Sequence, residues 1–400
     1  MRILCVADEY PWPATSGYRI RLAGLLAALT AFADVELFCT VDDRPELASG
    51  EWDAPPHGLR RIWLEPREPL GSSPAGLLRW ARSGWPRAVA LRDWRAAEGA
   101  LAAFRRDPYD LVWFSHGEVW LALAREADRP ALVDLDNLES EILRAHALDP
   151  GPVPPGAAAR LRAAVRRRAD ALDERRWRQA EARAAVGTDG VLLCSQVDVD
   201  RLDHPNGRVV PNGYDEQPRP DAPSGPVLAM ASLLLYRPNL DGATWFATEV
   251  LPRVRREVPD ARLRLIGRHD EGAAPLGQLP GVELTGEVDD VGDALRGAAA
   301  VVVPLHAGSG TRIKVIEAFA RRLPVASTTL GCEGLGAVAG THVLVGDSPE
   351  ALAEACVTLL TDPDRAAAVA TAGWALWDER FRWSAIQAEV RRIVEAAAAT

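Results

Sequence analysis

The sequence predicts an α/β protein made of two doubly wound domains, each with a parallel sheet. Short β-branched runs alternate with longer segments of helical periodicity, the pattern of parallel strands covered by helices. This pattern stops at residues 215–225 (DEQPRPDAPSG), which have the composition of a linker, and then begins again. The length of 400 residues suffices for two domains of ordinary size.

Composition narrows the class of protein. The net charge of −10 argues against nucleic acid as a main partner. The five cysteines are scattered without a CxxC pair, so we expect a reducing cytoplasm and no metal site. The first residues lack a signal-peptide pattern, and no apolar run is long enough to span a membrane. We expect a cytoplasmic protein, and the abundant Arg and Ala suggest a bacterium with a GC-rich genome.

The first half of the chain reads as a strand-and-helix series. Gly17 stands at the start of a helix predicted over 18–31, where it either lets a substrate approach the backbone or serves as a turn glycine. His116 follows a strand at once. The predicted strands cover 2–7, 35–40, 60–64, 110–114, 131–135, 191–194 and 208–210.

A long helix is predicted over 157–185. Between Arg160 and Arg183 it has nine arginines against four acidic residues. A solvated helix face explains this composition, and contact with an anionic membrane is the alternative, which would place the protein peripherally at the inner membrane face.

The second half repeats the alternation. Pro252 is expected to bend or end early a helix predicted over 239–257. Ligands of such domains bind at the carboxyl ends of the strands, here in the cleft between the two domains. The predicted strands cover 227–231, 262–266, 282–284, 301–303, 324–327 and 342–345, and the other predicted helices cover 289–296, 349–361, 363–378 and 383–398.

The stretch from Val301 to Ala326 (VVVPLHAGSGTRIKVIEAFARRLPVA) carries the main functional signal. A buried strand is followed by a glycine-rich turn, and apolar residues three or four apart predict a helix from Thr311. A glycine turn that leads into a helix presents free backbone N–H groups and the positive end of the helix dipole. The sequence therefore predicts a phosphate site here.

Lys314 and Glu317 stand three apart on this helix, on one face. Lys314 is the only lysine in the chain, since the other 45 of the 46 basic residues are arginines. A lone lysine among arginines indicates a need for a compact ammonium group, as a phosphate oxygen in a tight pocket would have. The alternative is a surface Lys–Glu pair at i,i+3 spacing.

Several segments together resemble a known family. They are Tyr236-Arg237-Pro238-Asn239, 251–268, Thr285-Gly286-Glu287-Val288 and PLHAGSGTRIKVIEAFA (304–320), with weaker agreement at 11–21, 112–118 and 209–215. These segments are similar to the GT-B glycosyltransferases of family 4, which retain the configuration of the sugar they transfer. The resemblance covers nearly the whole chain.

The resemblance implies a hexosyltransferase that moves a sugar from a UDP-, GDP- or dTDP-sugar to a sugar, lipid-linked or natural-product acceptor. It implies no cofactor and no metal, because cations would stabilise the leaving diphosphate. The acceptor domain would be residues 1–215, with a helix at about 380–400 packing back on it, and the nucleotide-sugar domain would be 216–379.

The resemblance also assigns residues. Glu317 would bind the ribose, Lys314 and Arg312 the diphosphate, and His116 would be the active-site histidine. Ser309 stands where the family has the first Glu of an E-x7-E motif, so backbone amides would serve there instead. The implied donor-binding residues are Gly17, Arg237, Gly267, Arg268, Val288, Ser309, Gly310, Thr311, Arg312 and Ile313.

Four alternatives remain open on the sequence. Asp134-Leu135-Asp136 is a DxD, the metal–diphosphate motif of a different glycosyltransferase fold. A GT-B nucleotide-sugar 2-epimerase would need paired carboxylates for proton transfer, and no clear pair is seen. An NAD-dependent oxidoreductase would need GxGxxG, which is missing. A non-catalytic sugar-nucleotide-binding protein is suggested by Ser309.

Overall fold

The structure is a computed structural model that describes residues 1–14, 16–41, 47, 49–52, 55–67, 73–106, 108–125, 128, 130–148, 156–218, 223–307 and 312–399. It divides into two compact units. The first unit combines Met1–Pro211 with Trp383–Thr400, and the second unit is Asn212–Arg382. The chain therefore passes from one unit to the other twice, and the predicted boundary at residue 215 lies within the second unit.

The first unit is built on an eight-stranded sheet with the order β3-β4-β2-β1-β5-β6-β7-β8. All neighbouring strands run parallel except β3, which pairs antiparallel with β4. Buried aliphatic and aromatic side chains on both faces of the central strands form two core clusters. The strands are β1 (Arg2–Ala7), β2 (Asp34–Val41), β3 (Gly50–Glu51), β4 (Arg61–Pro66), β5 (Leu111–Ser115), β6 (Ala131–Asp136), β7 (Gly190–Leu193) and β8 (Gly207–Val209).

Helices cover this sheet. Ser16 caps the first of them by accepting a hydrogen bond from the backbone N–H of Arg19, and Ser195 caps the last in the same way. The helices up to residue 202 are α1 (Gly17–Thr30), α2 (Pro74–Ser83), α3 (Arg87–Ala90), α4 (Arg95–Phe104), α5 (Gly117–Leu123), α6 (Glu139–Leu148), α7 (Ala157–Gly187) and α8 (Gln196–Leu202).

The second unit is built on a six-stranded parallel sheet with the order β11-β10-β9-β12-β13-β14. Its strands are β9 (Val227–Ala231), β10 (Arg262–Ile266), β11 (Val282–Gly286), β12 (Ala300–Val303), β13 (Val325–Ser327) and β14 (Leu344–Val345). Its α-helices are α9 (Arg237–Trp245), α10 (Leu251–Glu257), α11 (Val291–Ala294), α12 (Ile313–Ala320), α13 (Pro349–Thr361) and α14 (Pro363–Arg380), with short 3-10 turns at Ala274–Gln278 and Leu330–Cys332.

The helix predicted over 239–257 is interrupted. Between α9 and α10 the chain forms a wider π turn, Phe246–Val250. This turn directly precedes the first turn of α10, which contains Pro252. Proline has no N–H to donate, so the regular hydrogen-bond series cannot pass through it, and the wider turn takes up the mismatch. The helix nevertheless continues past Pro252 to Glu257, so it does not end early there, and the irregular turn lies just before the proline.

The last helix, α15 (Trp383–Ala398), belongs to the first unit and packs against α1. The indole of Trp383 fills the space above Gly24 of α1, where an added Cβ would lie 1.9 Å from an indole carbon. Ile386, Val390, Ile393 and Val394 of α15 are buried in the same core cluster as α1. These contacts place α15 in the core of the first unit.

Each sheet has a strand at which the order of connections reverses. In the first unit it is β1, which lies between β2 and β5, and in the second unit it is β9, which lies between β10 and β12. Doubly wound sheets bind ligands at the carboxyl ends of the strands beside such a reversal. Among the described residues, no helix combines the length and the apolarity needed to cross a bilayer.

Candidate functional site

In the first unit, polar side chains meet at the reversal point. Ala7 at the end of β1 pairs with Ser115 at the end of β5, so the residues that follow them, Asp8 and His116, are neighbours. His116 Nδ1 lies 3.0 Å from Asp8 Oδ2. Tyr18 donates its hydroxyl to Asp8 Oδ1 at 2.6 Å and stacks on the imidazole of His116 with ring centroids 3.8 Å apart. We call Asp8, Tyr18, Ser115 and His116 the Asp8 cluster.

His116 has an unusual backbone conformation. Its φ of 81° and ψ of 146° fall in a region that glycine adopts readily and other residues avoid. The strain positions the imidazole at the turn between β5 and α5, against Asp8 and Tyr18. Such strained residues concentrate at functional sites, where the surrounding contacts hold them.

The Asp8 cluster favours a protonated His116. Burial alone would lower the pKa of His116, but the Coulomb attraction and hydrogen bond of Asp8 outweigh it and raise that pKa to about 9. Burial raises the pKa of Asp8, and the opposing effects of His116, Tyr18 and Arg67 leave it below its usual value. At neutral pH His116 is therefore an imidazolium whose Nδ1–H faces Asp8. Its Nε2–H is left as a charged hydrogen-bond donor.

The DxD at Asp134 and Asp136 is held by an internal arginine. Arg21 of α1 is fully buried and contacts both oxygens of Asp134, the shortest contact being 2.6 Å. Arg21 Nε lies 3.6 Å from Asp136 Oδ1, and its Nη1 donates to the carbonyl of Val210 at 2.8 Å. The DxD is therefore part of a buried ion pair in which Arg21 contacts Asp134 and approaches Asp136.

In the second unit, Lys314 lies at the other reversal point. Lys314 is in the first turn of α12, which follows β12, and its Nζ donates to Asn239 Oδ1 at 3.0 Å. Asn239 is in the first turn of α9, which follows β9, and its amide donates to the carbonyl of Leu233 at 2.9 Å. The pair therefore joins the amino-terminal turns of two helices, at which backbone N–H groups and helix dipoles concentrate positive charge.

No carboxylate among the described residues lies within ion-pair distance of Lys314, and a neutral amide accepts one of its three N–H bonds. Burial, and to a lesser extent the nearby Arg312, lower the pKa of Lys314 to about 8. Arg312 is itself buried and donates through Nε to the carbonyl of Leu330 at 3.2 Å. The result is a local excess of positive charge, which an anion would relieve.

Glu317 does not pair with Lys314, so the alternative of a surface Lys–Glu pair is wrong. Glu317 is buried, and its Oε1 accepts hydrogen bonds from the Tyr214 hydroxyl at 2.7 Å and from Arg321 at 3.0 and 3.2 Å. Arg321 lies one turn further along α12. These contacts fix one carboxylate oxygen and leave Oε2 as an acceptor for a ligand.

The remaining predicted donor residues are placed as follows. Gly267 directly follows β10 with a φ of 134°, and a Cβ there would lie 2.1 Å from the Ser232 carbonyl oxygen, so the chain needs glycine at this point. Arg237 is exposed and paired with Asp241 in the next turn of α9. Gly17 begins α1, Arg268 is exposed, and Val288 and Ile313 are half-buried. Ser309, Gly310 and Thr311 lie outside the described residues, and α12 as described begins at Ile313.

The structure adds residues that the sequence did not single out as functional. Asp8, Tyr18, Tyr214 and Arg321 contact predicted site residues, and Asn239 contacts Lys314. Asn239 lay within the segment Tyr236–Asn239 on which the resemblance rests, and Tyr214 lay within 209–215. Their position in segments that resemble the family was the sequence feature that could have marked Asn239 and Tyr214 as site residues.

A known protein family matches part of the second unit. Residues 225–362 match the family model described as glycosyl transferases group 1. The second unit thus resembles a group 1 glycosyltransferase domain over most of its length. The prediction of a glycosyltransferase is thereby confirmed over that domain, which contains Lys314 and Glu317. No curated protein matches the sequence at a significant level.

Solved structures resemble the whole chain. Sucrose-phosphate synthase from Thermosynechococcus elongatus matches over 100% of both chains, with 19% identity and a TM-score of 0.71. HepE from Anabaena, solved with UDP and glucose, matches over 98% of this chain and 99% of its own, with 16% identity and a TM-score of 0.63. WaaG, a glycosyltransferase of lipopolysaccharide biosynthesis, gives the same identity, coverage and TM-score. The predicted GT-B fold is confirmed.

Proposed function

We propose that this glycosyltransferase moves a hexose-type sugar, with retention of configuration, from a nucleoside diphosphate sugar to an acceptor hydroxyl. One observation carries the proposal: Lys314, the only lysine of the chain, is half-buried where two helices begin, without a carboxylate partner among the described residues. A diphosphate supplies the two negative charges and the acceptor oxygens that this site lacks.

The roles of the neighbouring residues follow from their contacts. Lys314 and Arg312 stabilise the negative charge that develops on the leaving diphosphate. Glu317 binds the ribose hydroxyls through Oε2, while Tyr214 and Arg321 hold its other oxygen. These cations perform the work for which other glycosyltransferases use a divalent metal, so we propose that no metal takes part.

His116 acts in the first unit. Because Asp8 keeps it protonated, we propose that its Nε2–H donates a charged hydrogen bond to an oxygen of the transferred sugar or of the acceptor, and that it does not act as a base. The acceptor class stays a proposal among sugars, lipid-linked sugars and natural products. For the donor we propose UDP-glucose as the first compound to test, since the Anabaena protein was solved with UDP-glucose.

A binding panel tests this function. Isothermal titration of the wild-type protein with UDP, GDP and dTDP, each also as its glucose derivative, should give saturable binding of one nucleotide. The Lys314→Met variant should lose most of that affinity, because one charged contact to phosphate is worth about 1.5–3 kcal/mol, whereas Arg237→Met should lose less, because Arg237 is already paired with Asp241. Equal affinities of the wild type and Lys314→Met would refute the assignment.

Turnover is the second readout. Product analysis with the donor that binds, with and without added acceptors, should show nucleotide release that depends on the acceptor. Epimerised sugar nucleotide formed without an acceptor would instead support the 2-epimerase. Binding without any release over a broad acceptor panel would support a non-catalytic binding protein.

A further inference from the structure

The first half of α7 differs from every other long helix of the first unit. From Ala157 to Ala169 it has five arginines and no acidic residue, within a chain whose net charge is −10. The structure describes all of these residues, and none of them is buried. At about 1.5 Å per residue this segment extends roughly 20 Å. It is a long, positively charged rod on an acidic protein.

This segment and the turns that follow it expose apolar side chains along one line of α7. Leu161 is 66% exposed, Val165 59% and Leu172 36%. With Arg168 and Arg175 they occupy positions i, i+4, i+7, i+11 and i+14, which lie on one face of a helix. We call these five residues the outer face of α7. On this face aliphatic side chains alternate with arginines, so it offers apolar surface and positive charge together, the two attractions that hold a helix at an anionic lipid interface.

The other half of the helix is anchored. Asp173, Arg176 and Trp177 are buried, and Arg176 donates to the carbonyls of Trp80 and Ala81 in α2 at 2.8 Å. Arg87, the first residue of α3, pairs with Asp170 and Asp173. These contacts fix the rotation of α7, so the outer face is turned away from the protein by its own packing. Helix α2, held to α7 in this way, exposes Leu77 and Leu78 as well.

We propose that the outer face of α7 binds an anionic lipid surface. The arginines attract phosphate headgroups, and their long aliphatic stems allow them to reach the headgroups while Leu161, Val165 and Leu172 enter the boundary with the acyl chains. Nucleic acid would satisfy the arginines and leave the aliphatic side chains in water. A lipid surface satisfies both, and the proposal does not depend on the identity of the donor or acceptor.

Vesicle sedimentation of the full-length protein tests the proposal. Wild-type protein should sediment with vesicles of phosphatidylcholine and phosphatidylglycerol, should not sediment with pure phosphatidylcholine, and should dissociate as salt is added. Leu161→Gln with Val165→Gln should weaken binding at all salt concentrations. Replacement of Arg162, Arg166 and Arg168 by Gln should lower the partition coefficient roughly fivefold per arginine.

Matched controls come from exposed sites elsewhere. Val338→Gln changes one exposed aliphatic residue of the second unit, and Arg391→Gln with Arg392→Gln removes two exposed charges from α15. These controls should bind vesicles as the wild type does, and thermal melting should show all variants folded. Failure to bind anionic vesicles, binding that the outer-face variants leave unchanged, binding to nucleic acid alone, or self-association through this face would each overturn the proposal.

Discussion

The charge of Lys314 makes nucleotide binding depend on pH in a calculable way. Only the protonated amine attracts the diphosphate, and burial lowers the pKa of Lys314 to about 8. At pH 8, half of the molecules then have a protonated Lys314 and are competent to bind the diphosphate, and at pH 9 about a tenth are competent. Because the apparent dissociation constant is the intrinsic one divided by the competent fraction, it should double near pH 8 and rise about tenfold near pH 9.

Titration calorimetry with the nucleotide identified by the binding panel measures this. The affinity of the wild type should be constant around neutral pH and should then fall as the pH rises. Lys314→Arg keeps the charge, since arginine stays protonated, so its affinity should be lower from misfit but flat with pH. Lys314→Met should be weak and flat. His116 also titrates in this range, because Asp8 raises its pKa to about 9. His116→Gln therefore serves as the control, and its affinity should depend on pH as the affinity of the wild type does. A wild-type affinity that does not change over this range would refute the reasoning.

Three further predictions follow from the described contacts. Arg21→Met leaves buried carboxylates without their partner, which costs about 3–5 kcal/mol of unfolding free energy. The melting temperature of the first unit in calorimetry should therefore fall by roughly 6–20 °C. Arg60→Met breaks an exposed pair and should shift that temperature by a few degrees at most. Tyr214→Phe removes a hydrogen bond that orients Glu317. Because a bond to a charged group is worth about 1.5–3 kcal/mol, nucleotide binding should weaken roughly tenfold. This loss should disappear with a 2′,3′-dideoxyribose nucleotide, and an equal loss with both nucleotides would argue against the orienting role. Activity should survive EDTA, because Lys314 and Arg312 provide the positive charge; inactivation by EDTA that magnesium or manganese restores would contradict this.

The repeating pattern made the fold readable in advance. Buried β-branched runs such as 301–303 and prolines that end them mark strands through local chemistry alone, so β9, β10 and α13 have the predicted bounds. Short helices such as α5 and α8 were not anticipated. They consist of about two turns, and their stability comes from packing against the sheet, which a periodicity of seven residues hardly reveals.

Only some residues of the candidate sites could be predicted from the sequence, because their partners come from distant parts of the chain. The position of His116 after a strand could be seen, but its partner Asp8 is separated from it by 108 residues and becomes a neighbour only because β1 lies beside β5. Spacing along α12 placed Lys314 and Glu317 on one face, and a Lys–Glu pair was the alternative to a phosphate site. Tertiary partners competed for both: Asn239 accepts from Lys314, and Tyr214 with Arg321 takes Glu317.

The return of α15 to the first unit bears on how the protein is made. A ribosome releases Met1–Pro211 long before Trp383, so the indole that fills the space above Gly24 is missing while the second unit is still being synthesised. Until then the face of α1 that α15 covers stays exposed in the nascent chain, where chaperones can bind it or it can promote aggregation. The second unit, being continuous, has everything it needs once Arg382 emerges. The first unit is synthesised first, but we expect it to complete its fold after the second unit.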